Sequence, residues 1–257
     1  MRLGFIGTGN ITTAIITGLC TCDPPPSTIW VSPRNKQKAD ALANQWPAVH
    51  VGTSNQAVLD HSDMVFLAIL PQQKEKILPD LRFRKDQIIV HLLAGTPVEK
   101  IQHPVQPADQ IARAVPLPCT AIHAGPIVIY PDQGDAVSRA GDLFNRIGRV
   151  IAVSQEDHLE TLAIITSLMA PYYAFVEAAA AWGTAQGIER KNAAAYTASM
   201  FGALSRIAES EDRGDIPSLV TQSMTPGGLN ELAMEVIEEH AGFSPITAAL
   251  DAVKNRQ

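Results

Sequence analysis

The stretch "LGFIGTGNITTAIITGL", residues 3–19, decides the fold of the first half of the chain. Gly7 and Gly9 come directly after a short apolar run and directly before residues with helical spacing. A strand, a tight glycine turn and a helix in that order predict a dinucleotide site, because the turn lets a pyrophosphate approach the helix N-terminus. Glycines alone often mark only a turn, so the flanking elements support this prediction. Thr12 stands where Gly or Ala is usual.

The residues after the second strand indicate which dinucleotide is bound. "TIWV", residues 28–31, is followed by "SPRN", residues 32–35, with no acidic residue to hold the ribose hydroxyls of NAD. Ser32 and Asn35 can donate hydrogen bonds, and Arg34 can pair with a 2′-phosphate. The sequence therefore favours NADP over NAD. The alternative is that Arg34 is an ordinary solvent-facing loop arginine.

The two parts of the chain differ in apolar patterning. Up to residue 153, β-branched runs alternate with helix-length segments, as in a mostly parallel sheet covered by helices on both faces. From residue 154 onward the strand pattern ends and helical spacing continues. We therefore predict an α/β fold with an N-terminal Rossmann-like, doubly wound domain at residues 1–153. An all-α dimerisation domain follows at residues 154–257.

The dimer is predicted from the composition of the helical part. The segments "AFVEAAAAWGTA", residues 174–185, and "NAAAYTASMFGA", residues 192–203, are rich in alanine. Alanine lets helices approach closely but leaves few large side chains to fill a separate core. We expect this part to complete its core against a second copy of the chain, which gives a homodimer or a higher homo-oligomer.

Composition excludes several classes of protein. The chain has 257 residues, a formal net charge of −6 and no run of Lys or Arg, which argues against a nucleic-acid partner. No window approaches the length of unbroken apolar sequence that a membrane span needs, so we expect no membrane partner. The N-terminus lacks the pattern of a secretory signal, and we expect a cytoplasmic protein.

The sequence predicts no metal site. Cys20, Cys22 and Cys119 are odd in number and have no Cys or His at ligand spacing. The histidines at positions 91, 123 and 158 are also widely separated. We interpret each of them as a hydrogen-bonded histidine of the core, of a loop or of a helix face.

A second glycine motif interrupts the helical part. "SMTPGGLNE", residues 223–231, places Pro and two glycines between helical segments, so a new helix should begin after Gly228. We expect the N–H groups from Gly227 to Asn230 to bind a substrate carboxylate, because helix N-termini attract anions. The alternative is an ordinary helix–helix turn capped by Thr225.

The whole chain resembles the pyrroline-5-carboxylate reductase family. The resemblance rests on "GFIGTGN" at residues 4–10, "AVPLPCTAIHAG" at residues 114–125, and "TPGG" at residues 225–228 with the "GF" and "DAV" that follow. Family members are NADP(H)-dependent imine reductases, in which the helices of one subunit face the nicotinamide of the other. The resemblance implies NADPH-dependent reduction of 1-pyrroline-5-carboxylate to proline, in proline biosynthesis, or of a closely related cyclic imine carboxylate.

The expected site residues follow from the two motifs and the resemblance. The cofactor would be bound by Gly7, Thr8, Gly9, Asn10, Ile11, Ser32, Arg34, Asn35, Ala68, Leu70, Pro71, Ala94, Gly95 and Pro116. Gly227, Gly228 and Leu229 would bind the substrate, with Asn230 and Thr225 in catalytic roles. A protonated imine is already electrophilic, so hydride transfer from the nicotinamide C4 needs no acid–base pair in the sequence.

The departures from the family lie near the substrate and keep two alternatives open. Leu70 replaces the usual Lys, and Leu229-Asn230 replaces Thr-Thr. One alternative is another NADP-linked oxidoreductase of this fold acting on a keto or hydroxy acid. That chemistry usually needs a Lys or His proton donor, and Lys191 is the only lysine between residues 101 and 253. The other alternative is a protein that binds NADP without turnover.

Overall fold

The computed structural model describes residues 1–210 and 214–256. The chain divides into two compact units, Met1–Ala163 and Ile164–Gln257. The boundary between the units falls within a helix that begins at Glu156, whereas the domain boundary predicted from sequence lies just before that helix.

The first unit is built on an eight-stranded sheet with the order β3-β2-β1-β4-β5-β6-β7-β8. Every neighbouring pair is parallel except β6 and β7, which are antiparallel. The predicted doubly wound α/β fold is confirmed. The short strand β3 was not predicted, because its "VHV" sequence is too brief to show a pattern. The strands are β1 Leu3–Ile6, β2 Ile29–Val31, β3 Val49–Val51, β4 Met64–Leu67, β5 Ile88–His91, β6 Gln110–Val115, β7 Pro126–Tyr130 and β8 Arg149–Ala152.

Helices pack apolar side chains on both faces of this sheet. On one face Phe5 stacks on Phe66 with ring centroids 4.5 Å apart, and Phe144 meets Phe66 edge-on at 5.8 Å. The other face is covered by a second cluster that includes Leu67 and Ile101. The helices of this part are α1 Asn10–Cys20, α2 Lys36–Gln45, α3 Asn55–Asp60, α4 Lys74–Ile77, α5 Glu99–Gln102, α6 Asp135–Phe144 and α7 Glu156–Ile165.

Helix α1 approaches the backbone of a later segment near its C-terminal end. A Cβ atom added at Gly18 would overlap the carbonyl oxygen of Thr120, which belongs to the 3-10 turn Pro118–Ile122. The imidazole of His123, directly after this turn, lies 2.9 Å from the Gly18 carbonyl oxygen. Glycine at position 18 therefore allows the backbones of helix and turn to lie in direct contact.

The second unit is helical throughout its described residues. Its helices are α8 Met169–Ala185, α9 Arg190–Glu209, α10 Ile216–Ser223, α11 Leu229–Glu239 and α12 Ser244–Lys254. Its buried hydrophobic residues, among those described, are Ile164, Ala180 and Ala193, whereas Tyr173, Trp182 and Tyr196 are exposed. One copy of this unit therefore leaves most of its large apolar side chains in water.

The expectation that no segment has the length and composition of a membrane span is wrong. Helix α7, a 3-10 turn at Thr166–Leu168 and helix α8 form one helical run, Glu156–Ala185, that is long and apolar enough to cross a membrane. The prediction failed because it looked for unbroken apolar sequence, whereas this run contains a few charged residues. Length and composition are weak evidence for a span, because apolar interface helices share them.

Candidate cofactor site and substrate turn

A cleft of about 680 Å³ lies in the first unit beside the glycine turn. It brings together most of the residues predicted to bind the cofactor: Gly7, Thr8, Gly9, Asn10, Ile11, Ser32, Arg34, Asn35, Ala68, Leu70, Pro71 and Ala94. Gly95 and Pro116 do not line it. The cleft lies where the parallel strands end and α1 begins, which is the usual place for a ligand in such a sheet.

Gly7 and Gly9 meet different requirements of the turn. Gly7 has φ +106°, and a Cβ atom there would overlap the carbonyl oxygen of Ala68. A Cβ atom at Gly9 would meet no described heavy atom within 4 Å, so this position borders open space. Gly7 is thus needed for the turn itself, and Gly9 leaves the helix N-terminus accessible to a ligand.

The N-terminus of α1 can accept an anion. Gly9 is its N-cap, no described side chain caps it, and no acidic residue occurs in its first turn. The positive end of the helix dipole and the free N–H groups of the first turn therefore face the cleft without a competing carboxylate. The Lys38 ammonium contacts the Asn10 side-chain oxygen at the same end. These features suit the pyrophosphate of a dinucleotide.

Ser32 fixes the shape of the turn. Its hydroxyl oxygen accepts a hydrogen bond from the Gly7 N–H at 2.9 Å, and the Thr8 hydroxyl donates to the Ser32 carbonyl oxygen at 2.7 Å. The Ser32 side chain is buried and already hydrogen-bonded. Thr12 binds the turn from the helix side, because its buried hydroxyl donates to the Gly7 carbonyl oxygen at 2.7 Å. The unusual residue at position 12 therefore adds a hydrogen bond to a close helix–strand contact.

The rim of the cleft beyond β2 is basic. Arg34 is exposed and lines the cleft, as does Lys36, whose ammonium pairs with Asp40 at 2.9 Å. Asn35 is the N-cap of α2, and its side-chain oxygen accepts from the Lys38 N–H. Arg34, by contrast, has no acidic partner among the described residues. Its guanidinium is therefore available to bind a 2′-phosphate.

Six cleft residues were not predicted from the sequence: Lys36, Asn55, Ile69, Gln73, Ile77 and Leu92. Lys36 and Ile69 lie next to predicted residues and Leu92 lies two positions before the predicted Ala94, so a small extension of each motif would have included them. Asn55 begins α3, which follows the unpredicted strand β3. Gln73 and Ile77 belong to a 3-10 turn and to the short α4, for which no periodic signal exists.

The predicted substrate turn has the expected backbone and unexpected hydrogen bonds. Helix α11 begins at Leu229 with Gly228 as its N-cap, as predicted, and Gly227 has φ +73°. The expectation that the N–H groups from Gly227 onward are free is wrong for two of them. The Gly227 N–H donates to the Glu231 carboxylate at 2.6 Å, and the Gly228 N–H donates to the Thr225 carbonyl oxygen at 2.7 Å.

The other predicted residues of this turn differ in exposure and in hydrogen bonding. The Asn230 side-chain amide donates to the Ser223 carbonyl oxygen at 2.8 Å. The Leu229 side chain is 85 % exposed. Thr225 and the two glycines belong to the same turn, so the motif is compact. The N–H groups of Leu229 and Asn230 have no acceptor among the described residues. The N-terminus of α11 is therefore only partly capped.

A buried charged cluster, which was not predicted, lies between strands β5 and β6 and helix α7. The Arg113 guanidinium donates to the Glu156 carboxylate at 2.9 Å and also binds Glu160, both on α7. His91 is fully buried, but neither of its ring nitrogens has a partner among the described residues. The prediction of a hydrogen-bonded core histidine is therefore half right. Burial first, and the Arg113 charge second, lower the pKa of His91 to about 3.

Two family profiles match this chain. Residues 2–95 match the profile described as NADP oxidoreductase, coenzyme F420-dependent. Residues 156–257 match the profile described as pyrroline-5-carboxylate reductase dimerisation. The two matches fall on the glycine turn with its sheet and on the helical part of the chain.

Relatives match over nearly the whole chain. A pyrroline-5-carboxylate reductase of Escherichia coli strain K12 is 26 % identical, with 97 % of this chain and 94 % of the relative covered. A solved pyrroline-5-carboxylate reductase from Coxiella burnetii is 26 % identical with a TM-score of 0.84, covering 99 % of this chain and 96 % of that one. The enzyme from Plasmodium falciparum, solved with NADP bound, has the same TM-score of 0.84 at 16 % identity, over 100 % of this chain and 96 % of that one. The chain is thus similar to pyrroline-5-carboxylate reductases over nearly its whole length, and its residues 156–257 match their dimerisation domain.

Proposed function

We propose that the protein is an NADPH-dependent reductase of cyclic imines that converts 1-pyrroline-5-carboxylate to proline. The observation that carries the proposal is the cleft at the N-terminus of α1, in a chain whose residues 156–257 match the dimerisation domain of this family. The reductases of E. coli and C. burnetii support the substrate, and the NADP-bound relative of the same fold supports the cofactor.

The cleft fits NADP(H). The open space at Gly9 and the uncapped N-terminus of α1 suit the pyrophosphate, and Arg34 with Lys36 suits a 2′-phosphate. When bound, NADPH supplies a hydride to the imine carbon. The residues of the chain would bind and orient the two reactants. The family resemblance implies that Gly95 and Pro116 approach the nicotinamide, and both stay part of this proposal.

We assign the substrate to the turn at residues 225–230. Gly227, Gly228 and Leu229 would line its site, and the N–H groups of Leu229 and Asn230 would be the donors available to it. Asn230 and Thr225 would lie beside the reacting imine. An imine that is protonated in solution needs no proton from the enzyme before it accepts hydride. Lys191, the lysine that a keto-acid reductase would use as proton donor, is exposed in the first turn of α9, which favours imine reduction.

We further propose that the active form is a homodimer formed by the helical part, and that the protein is soluble and works in the cytoplasm. The large apolar side chains exposed on α8 and α9 support the dimer, because symmetric pairing would bury them in both copies. The same pairing would cover the apolar run Glu156–Ala185 without a membrane.

The test is a steady-state assay that follows nicotinamide absorbance with 1-pyrroline-5-carboxylate and with a panel of keto acids. We expect turnover of the imine with NADPH and little with the keto acids. Turnover of keto acids alone would assign the other reaction class. NADPH binding without turnover of any substrate would indicate a non-catalytic protein.

A variant of the turn tests the substrate site. A Cβ atom at Gly228 would lie 2.7 Å from the Thr225 carbonyl oxygen, so Gly228→Val must move the turn. We expect a raised KM or lost turnover with unchanged NADPH affinity. Gly141→Ala is the control, because a Cβ atom there would come no closer than 4.0 Å to Val150. Normal turnover by Gly228→Val would remove this turn from the site.

A further inference from the structure

The loop that follows β5 forms part of the wall of the cofactor cleft. It runs from Leu92 to Val98, and Leu92 and Ala94 line the cleft. The Leu92 N–H anchors the first end of the loop, because it donates to the carbonyl oxygen of Leu67 on β4 at 2.9 Å. At Gly95 the loop borders open space, since a Cβ atom there would meet no described heavy atom within 4 Å. The position of the cleft wall therefore depends on how the second end of the loop is held.

Glu156 on α7 holds that second end. Its Oε1 atom accepts the Val98 N–H at 2.9 Å and a guanidinium N–H of Arg113 on β6 at 2.9 Å. The Arg113 side chain is buried and that of Glu156 is only 21 % exposed, so water competes little for these hydrogen bonds. Hydrogen bonds to a charged acceptor are also stronger than neutral ones. One carboxylate oxygen thus joins the cleft loop to the sheet.

Glu160 binds the same arginine without a hydrogen bond to the loop. Its carboxylate contacts the Arg113 guanidinium from one turn further along α7. Among the described residues outside the loop, Glu156 is the one whose side chain hydrogen-bonds to residues 92–98. His91 directly precedes the loop, but its buried ring has no hydrogen-bond partner among the described residues. Both glutamates therefore neutralise Arg113, and Glu156 also fixes the loop.

We infer that Glu156 is a positioning residue for hydride transfer, which acts on the cleft loop through the Val98 N–H. This inference rests on the proposed imine reductase function, in which Gly95 of this loop approaches the nicotinamide. Hydride transfer needs the nicotinamide C4 close to the imine carbon, and small errors in this distance slow the reaction. The affinity for NADPH depends mainly on its phosphates, which are assigned to the N-terminus of α1 and to Arg34. Release of the loop should therefore slow hydride transfer more than it weakens NADPH binding.

The Val98→Pro variant removes the donor of this hydrogen bond and keeps the ion pair of Arg113 with Glu156. Val98 has φ −53°, which proline can adopt, and it directly precedes the first residue of α5, where a proline is tolerated. With NADPH and 1-pyrroline-5-carboxylate we expect kcat to fall about tenfold, while the Kd for NADPH stays near the wild-type value. We also expect a larger kinetic isotope effect with NADPH deuterated at the transferred position of C4, because hydride transfer would then limit the rate.

Substitutions of the two glutamates separate this contact from the charge of the cluster. Glu156→Ala removes the acceptor and should lower kcat as Val98→Pro does, whereas Glu156→Gln keeps an oxygen for the Val98 N–H and should recover most of kcat. Glu160→Ala is the matched control, because it also removes one carboxylate from Arg113. We expect it to lose a comparable amount of stability in urea unfolding and to keep the wild-type kcat. If either Val98→Pro or Glu156→Ala fails to fold, the other decides.

The outcomes distinguish this inference from the proposed function. A wild-type kcat and isotope effect in Val98→Pro would overturn the inference and leave the proposed function intact. Equal falls of kcat in Glu156→Ala and Glu160→Ala would also overturn it, because the charge of the cluster and not the loop contact would then control the reaction. A wild type that binds NADPH but does not reduce the imine would overturn the proposed function, and this inference with it.

Discussion

His91 and Arg113 are register partners on the parallel strands β5 and β6, and both side chains are buried. Arg113 is neutralised by Glu156 and Glu160 on α7, whereas the ring of His91 has no hydrogen-bond partner among the described residues. A second cation beside Arg113 would be costly in this position, so His91 stays neutral in the folded protein.

This pairing predicts that the protein loses stability in mild acid. The pKa of His91 falls from 6.5 to about 3 in the fold, so below pH 6.5 the unfolded chain binds a proton that the folded chain does not. The free energy of unfolding should therefore decrease as the pH falls from 6.5 towards 3, by about 1.4 kcal/mol per pH unit at most. Urea unfolding at pH 7 and pH 5, at one fixed protein concentration, measures this change.

The His91→Leu variant isolates the contribution of this side chain. It should lose about 2 kcal/mol less than the wild type between pH 7 and pH 5, because it has no ring to protonate. The exposed His103→Gln is the control and should follow the wild type. Equal losses in the wild type and in His91→Leu would contradict the prediction.

The glycine turn should not tolerate a side chain at position 7. Gly7→Ala forces a residue with a Cβ atom to adopt φ +106° and to overlap the Ala68 carbonyl oxygen. We expect at least about 1–2 kcal/mol of lost stability and at least tenfold weaker NADPH binding, measured by urea unfolding and by fluorescence titration. Gly141→Ala, in the middle of α6, should stay as stable as the wild type or gain up to about 1 kcal/mol. Wild-type NADPH affinity in Gly7→Ala would contradict this account of the turn.

Arg34 should determine the preference for NADPH over NADH. Removing its charge-assisted hydrogen bonds to a 2′-phosphate should cost about 1.5–3 kcal/mol, so Arg34→Ala should lower the ratio of NADPH to NADH affinity roughly tenfold or more. Titrations with both nucleotides measure the ratio. Arg82→Ala, an exposed arginine that does not line the cleft, is the control. If the ratio is the same in Arg34→Ala and in the wild type, the 2′-phosphate is bound elsewhere.

A charge on the exposed apolar surface of α8 should separate the subunits. Trp182 is 69 % exposed, and a Glu at this position would have to be buried without a partner in a dimer formed through α8. We expect Trp182→Glu to be a monomer in light scattering at micromolar concentration, where the wild type is a dimer. Ile122→Glu changes an equally exposed apolar residue of the first unit and should stay dimeric. A monomeric wild type would contradict the proposed assembly.

The elements that were predictable are those whose signal is local. The strand, turn and helix at residues 3–19 follow one another directly, so glycine spacing and apolar periodicity predict the fold and the part of the cleft formed by the glycine turn. The cleft residues Ala68, Leu70, Pro71 and Ala94 were expected only from the family resemblance. The start of α11 was predicted for the same reason. The hydrogen bond from the Gly227 N–H to Glu231 was not predicted, because it joins the first turn of α11 to the turn that precedes the helix.

The buried charged cluster could not be predicted, because its members are far apart in sequence. Arg113 lies 43 residues from Glu156 and 47 from Glu160, and His91 meets Arg113 only through strand pairing. Apolar patterning describes "IARAV" as a buried strand and gives no reason for an arginine inside it. The first turns of α7 supply the two carboxylates that allow this charge to be buried.

The two ends of helix α1 contact two different parts of the first unit. Its N-terminus borders the cofactor cleft at Asn10, and about 12 Å further along the helix axis Gly18 lies against the Thr120 carbonyl oxygen. The segment from Pro116 to Thr120 therefore takes its position from the same helix that begins at the glycine turn. A larger residue at position 18 would therefore displace the segment that contains Pro116, although position 18 itself does not line the cleft.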